Sequence, residues 1–267
     1  MASEMPGMRP AAVAGSFYPG DPRRLRAAVT ELLAGVPGQS GAPKALIAPH
    51  AGYAYSGQVA ARAFATLRSE VGTIERVVLI GPAHYVRLRG IAAPTVKVFE
   101  TPLGHVKVDQ EALAAVADLP SVSEADGPHG PEHALEVELP FLQLILPSFT
   151  LVPLLVGDAA PTDVAEVLAQ LWGGPETLVV VSSDLSHYHP YAEARRLDGE
   201  TAAAIERGDW AALSPARACG FLPLAGLLLE AGRRGLAARR LALCNSGDTA
   251  GDRDRVVGYG AWAFQAI

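Results

Sequence analysis

Three short runs of aliphatic residues each stop at a loop that carries a histidine, and this repetition limits the folds open to the chain. Ala45-Leu46-Ile47-Ala48 leads into Pro49-His50-Ala51-Gly52-Tyr53, and Val77-Val78-Leu79-Ile80 into Gly81-Pro82-Ala83-His84-Tyr85. Leu178-Val179-Val180-Val181 leads into Ser182-Ser183-Asp184-Leu185-Ser186-His187-Tyr188. Runs this short, apolar throughout and rich in β-branched residues, read as strands covered on both faces, the pattern of a parallel sheet. Open parallel sheets bind ligands beyond the carboxyl ends of their strands. Three such strands aim His50, His84 and His187, together with Asp184, at one crevice suited to a metal or acid–base site. A single histidine after a strand is ordinarily a turn or surface residue, but independent placement would scatter three of them.

Helical patterns alternate with these strands. Asp21-Pro22 is an N-cap followed by proline at the first helical position; Leu25, Val29, Leu32 and Leu33 form one apolar face, and Gly35 stops it. Ser56 is expected to cap a second helix carrying Val59, Ala60, Ala63, Phe64 and Leu67, and Asp109 a third with Leu113, Val116 and Ala117. Residues 132–146 are periodic, with Pro140 expected to kink or split them. Further helices are read from Thr162-Asp163 to Leu171, over 192–207, and over 220–234 before Gly235. Additional strands are expected at 91–93, 150–155, 240–243 and 256–264, the last near a sheet edge. Alternation without an internal repeat or a Ser/Gly linker predicts one α/β domain over residues 9–267, after a flexible tail of residues 1–8. Its central sheet should be mostly parallel, with helices on both faces.

Composition narrows the function classes. With 49% hydrophobic and 19% charged residues in 267, a folded domain with a large core is expected. A net charge of −6 argues against sequence-independent nucleic-acid binding, which needs a basic face. The two cysteines, Cys219 and Cys244, make no disulfide framework and suit a reducing compartment. Met1–Pro10 lacks the apolar core of a signal peptide, and no run reaches the ~18 apolar residues of a membrane span, so a cytoplasmic location is expected.

His50 and His84 are the best metal-ligand pair, because proline-containing turns before each restrict where the imidazole points. Neutral imidazole suits iron, copper or zinc. A third ligand is required. The segment Cys244-Asn245-Ser246-Gly247-Asp248 offers two. Asp248 would complete a two-histidine, one-carboxylate set of the kind found in non-haem iron oxygenases, and Cys244 would make a softer site. His187 is a candidate general acid or base, with Asp184 orienting its ring or pairing with a charge. Glu132-His133-x-x-Glu136 reads equally as a wall of the site or as a solvated helix start. No dinucleotide or phosphate loop, paired Cys-x-x-Cys or nucleophile elbow is present.

At these residues the chain resembles the Memo-like family, whose bacterial and archaeal members are also known as AmmeMemoRadiSam system protein B. The resemblance runs from Val13-Ala14-Gly15-Ser16-Phe17-Tyr18-Pro19 through the His50 and His84 loops, Thr101-Pro102-Leu103-Gly104, Glu132-His133 and Leu139-Pro140-Phe141. It continues through Ser182–His187 and Ser246-Gly247-Asp248 to Val257-Gly258-Tyr259. It implies a fold like that of class III extradiol ring-opening dioxygenases, a redox-active iron or copper centre, and AMMECR1-like and radical SAM proteins as partners. His50 and His84 match the family's metal histidines, and Asp184 and His187 its further site residues. Animal members take a cysteine ligand from a Ser-Ser-Gln-Cys stretch. A gapless count from the Val-x-Tyr segment puts that position at Thr249, so the adjacent Asp248 is favoured over Cys244 as third ligand.

The resulting expectation is a mononuclear iron or copper site for redox or dioxygenase-like chemistry on an unidentified substrate. A zinc-dependent hydrolase on the same crevice, and a non-catalytic binding partner within a modification system, are the alternatives.

Overall fold

The computed structural model describes residues 7–37 and 42–266. Its strands, in chain order, are β1 (Met8–Arg9), β2 (Ala45–Ala48), β3 (Arg76–Pro82), β4 (Ile91–Ala93), β5 (Val98–Thr101) and β6 (Gly104–Val108). They continue with β7 (Val122–Glu124), β8 (Thr150–Val156), β9 (Thr177–Ser182), β10 (His187–His189), β11 (Leu236–Asn245) and β12 (Val256–Ala266). The helices are α1 (Pro22–Ala34), α2 (Tyr53–Phe64), α3 (Gln110–Val116), α4 (Leu139–Ile145), α5 (Pro161–Leu171), α6 (Tyr191–Arg207) and α7 (Phe221–Arg233).

The three aliphatic runs of the sequence are β2, β3 and β9. β9 lies between the other two, paired in parallel with β2 (Ala48↔Ser182) and with β3 (Ile80↔Val181). β8 and then β6 extend this parallel core beyond β3. β2 and β9 are buried at every position, because helices cover the sheet on both sides. One helical group is α1, α2 and α4; the other is built on α5 packed against α7, with α7 lying on β3 and β9. The domain is thus a single α/β unit around a mostly parallel sheet.

Antiparallel strands close the periphery. β12 pairs with β2, β10 and β11. This corrects the expectation of an edge position for the 256–264 run: Tyr259, Trp262 and Phe264 are each at most 2% exposed, and β2 and β11 flank the strand at Trp262 and Phe264. Of the expected tail, residues 1–6 lie outside the described residues, while Met8 pairs with Val98 and Arg9 with Phe99.

Local signals explain most helix boundaries. Asp21 accepts hydrogen bonds from the backbone N–H groups of Arg23 and Arg24, and Asp109 from that of Ala112. Ser56 is not a cap. α2 begins three residues earlier, directly after the His50 loop, and the Ser56 hydroxyl bonds back to the Ala51 carbonyl. Of the two outcomes expected at Pro140, the segment is split rather than kinked. Pro140 occupies the first turn of α4, where no N–H is needed, after a 3₁₀ turn over Glu136–Glu138. Among the described residues no helix is long and apolar enough to cross a membrane.

Candidate metal centre

His50 leaves the carboxyl end of β2 and is held at both its backbone and its ring. Its N–H donates to Asp184 Oδ1 at 2.9 Å, and its Nδ1 lies 2.7 Å from Ser182 Oγ. The Ser182 hydroxyl has one hydrogen and faces the Ala134 carbonyl at 2.6 Å and Glu138 Oε1 at 3.1 Å. With that hydrogen spent on an acceptor, Ser182 Oγ accepts from His50 Nδ1–H. The Nε2 lone pair is then free to ligate. Two residues past β3, His84 is held the same way by a carboxylate. Its Nδ1 donates to Glu132 Oε1 at 2.9 Å and its backbone N–H to Glu132 Oε2 at 2.6 Å. A carboxylate behind an imidazole fixes the tautomer and raises ligand basicity.

Glu132 also organises a third imidazole. Its Oε1 accepts from the backbone N–H groups of His133 at 2.9 Å and Ala134 at 3.0 Å. Burial pushes the Glu132 carboxyl up, but the bonds and charge from His84, with those backbone donors, outweigh it and hold it below its ordinary value. The His133 ring stacks on His84, with centroids 4.8 Å apart and planes 20° from parallel. His133 Nδ1 is 3.3 Å from Glu132 Oε1 but misaligned for a hydrogen bond, and it has no other partner.

One nitrogen from each of His50, His84 and His133 lies within 4.8 Å of the other two. Burial, followed by the neighbouring histidines, holds His50 well below the ordinary imidazole value. Burial likewise takes His133 down to about 4 against the opposing pull of Glu132. These two rings are neutral at neutral pH, the form that binds metal. Three imidazole nitrogens, two of them on rings held by hydrogen bonds from behind, fit a first-row transition metal such as iron, copper or zinc.

The residues singled out in the sequence divide here. His50 and His84 come together, with ring centroids 5.1 Å apart, although their strands are separated by β9. His187 Nδ1 donates to the Leu185 carbonyl at 2.8 Å, leaving Nε2 free. Burial first, and then the charge of His84, hold His187 below its ordinary value, which sets it electrostatically beside the cluster. Asp184 does not orient His187. It is 4% exposed, binds the His50 backbone, and is pushed up to about 7 by burial.

Asp248 is outside the three-imidazole group, which corrects its assignment as third ligand. Its carboxylate is engaged locally, accepting from Tyr191 Oη at 2.6 Å and from the Asn245 N–H at 3.1 Å, where it closes the turn after β11. Cys244 lines the same separate cavity, of about 410 Å³, with Tyr191, Arg195 and Asp198. The residue that sequence reasoning underweighted is His133. Its signal was Glu132-His133-x-x-Glu136, but helical spacing was the wrong frame, because Glu132 and His133 lie in a loop that precedes a turn at residues 134–135. Glu136 serves the fold: its carboxylate pairs with Arg9, accepts from Tyr18 Oη, and receives the N–H groups of Ala12 (2.7 Å) and Val13 (3.0 Å).

The fold is similar to that of an uncharacterized Escherichia coli K12 protein known from its crystal structure. The TM-score is 0.53 at 15% identity, over 82% of this chain and 98% of that one. A MEMO1 family protein of Saccharolobus solfataricus is 35% identical over 95% of this chain and 98% of its own length. One from Methanopyrus kandleri is 36% identical over 96% and 99%. The profile of the Memo-like protein family matches residues 9–263, and the chain belongs to that family.

Proposed function

We propose that His50, His84 and His133 hold a single redox-active metal ion, iron or copper, in a crevice where an unidentified substrate is oxidised. The observation that carries this reading is the convergence of three imidazole nitrogens within 4.8 Å, at the carboxyl ends of parallel strands and in the loop beside them. When bound, such an ion supplies one-electron and oxygen chemistry at positions left open by three protein ligands. The chain's own residues do the rest. Glu132 and Ser182 hold two imidazoles in the ligating tautomer. His187, neutral with Nε2 free, accepts or returns a substrate proton. Asp184 sets the backbone of the His50 loop.

The Tyr85 and Tyr188 rings, 56% and 62% exposed beside His84 and His187, provide flat apolar surface for an aromatic or planar substrate. A cytoplasmic setting and AMMECR1-like and radical SAM partners belong to the same reading. So does the second reading, a zinc-dependent hydrolase, favoured by the all-nitrogen group of three donors, a set that zinc enzymes share.

The test is metal content of protein purified without added metal, followed by anaerobic reconstitution with Fe(II), Cu(I) or Zn(II) and measurement of oxygen uptake. Iron or copper retained with oxygen uptake supports the redox reading. Retention of zinc alone, with ester or amide hydrolysis, moves the assignment to the hydrolase. Failure to hold any of the three ions overturns both.

A further inference from the structure

The loop before α7 carries a thiol into contact with the imidazole cluster. Cys219 Sγ lies 3.3 Å from His50 Nε2, the nitrogen left free to ligate. This position is built by the backbone. The Cys219 N–H donates to the Asp184 carbonyl at 3.3 Å, and the Gly220 N–H to Ser183 Oγ at 2.9 Å, laying the loop flat on the end of β9. Only glycine permits the approach. A Cβ at Gly220 would stand 2.7 Å from Ser183 Cβ and 2.9 Å from the Ser182 carbonyl oxygen. The cysteine therefore abuts the group of three imidazoles from the His50 side, at the nitrogen that faces the cluster.

We propose that Cys219 supplies a thiolate sulfur to the metal held by His50, His84 and His133, making a mixed nitrogen–sulfur centre. The inference rests on the metal reading above and adds a donor to it. Typical metal–nitrogen and metal–sulfur bonds of about 2.0–2.1 and 2.3 Å place two adjacent ligand atoms of a tetrahedral ion about 3.5 Å apart. The observed 3.3 Å is close to that separation. The thiol touches one member of the 4.8 Å group while standing outside the group itself, so ligation draws Sγ inward from the His50 side. Without metal, the S–H donates to the Nε2 lone pair of His50. On loading, the S–H bond breaks, the sulfur–metal bond forms, and the proton passes to buffer; no electron changes hands. A thiolate biases the centre towards softer ions such as Cu(I) and zinc relative to three imidazoles alone.

The chain has two cysteines, Cys219 and Cys244, which makes the test clean. Reduced full-length protein is loaded anaerobically with Co(II), whose ligand-field bands report binding and whose near-ultraviolet charge-transfer band reports a bound thiolate. The wild type and Cys244→Ser should show both. Cys219→Ser should keep the ligand-field bands, lose the charge-transfer band and bind Co(II) about 10-fold or more weakly, the size of loss expected at the least for a supporting group. Cys219→Ala, checked by circular dichroism, guards against a folding defect of the serine variant. Co(II) bound to wild type without the charge-transfer band, or a band lost only in Cys244→Ser, overturns the thiolate while leaving the centre. No Co(II) bound to any variant overturns the centre and the thiolate together.

Discussion

Glu132→Gln is the most informative single change, because one carboxylate serves two of the three imidazoles. Its Oε1 takes the His84 ring N–H and the backbone N–H groups of His133 and Ala134; its Oε2 takes the His84 backbone N–H. Both oxygens face donors, so an amide in either orientation points its NH₂ at an N–H. The less costly orientation keeps oxygen towards the three donors and sets the NH₂ against the His84 backbone, 2.6 Å away in the native structure. Loss of one hydrogen bond to a charged acceptor costs about 1.5–3 kcal/mol. For a domain of this size that lowers the metal-free Tm by roughly 3–12 °C. Metal affinity falls as well, because His84 loses the charge behind its ring. The expected loss is about 10–100-fold, equivalent to roughly 1.4–2.7 kcal/mol. Differential scanning fluorimetry on metal-free protein and chelator competition with Co(II) read the two effects separately. Unchanged affinity, with or without a fall in Tm, would refute the role given to Glu132 in ligand positioning.

His133→Ala should abolish stoichiometric Co(II) binding, whereas Asp248→Ala should leave it intact; elemental analysis after gel filtration separates them, and the reverse pattern would restore the carboxylate as ligand. His187→Ala should keep the metal and lose roughly 10²–10⁴-fold in turnover, read as oxygen uptake once a substrate is found; loss of metal instead would make His187 a ligand. Asp184, ordinarily near 3.8 and pushed up to about 7 by burial, binds its proton more tightly in the folded chain than in the unfolded one. Its contribution to stability is therefore full below about 3.8 and lost as pH rises to about 7. Against Asp184→Asn in urea titrations of metal-free protein, the wild type should lose ground steadily across that window, and a flat difference would contradict the assignment. Gly220→Ala should lower Tm by forcing the loop before α7 off the end of β9, at a cost of about 1–3 kcal/mol.

The parallel core was legible because β2, β3 and β9 are buried on both faces and so could not disguise themselves with polar residues. Capping by Asp21 and Asp109 was legible for a different reason: a side chain that bonds its own neighbours needs no distant partner. What escaped depended on distant partners. β5, β6 and β7 are three to five residues long and carry polar residues such as Glu100, Lys107 and Ser123, so pairing rather than pattern makes them strands. β12 was misplaced at an edge because its small residues do not announce neighbours on both sides. At the site, histidines introduced by apolar runs were found. His133 follows no such run, and its loop is shaped by a glutamate whose four donors come from two separate segments.

The pairing of β12 also has a consequence for how the molecule comes into being on the ribosome. β12 is the latest strand of the sheet to be synthesised, yet it fills the place beside β2, an early one, with Trp262 opposite Ile47 and Phe264 opposite Ala45. Until it emerges, the apolar edge of β2 is an open template, and pairings this remote in sequence form slowly. The same strand holds His187, through its pairing with Val257. The three imidazoles meet only once β9 lies between β2 and β3 and brings Ser182 behind His50, whereas His187 waits for β12; on the proposed reading, metal can therefore be captured before His187 is locked beside it.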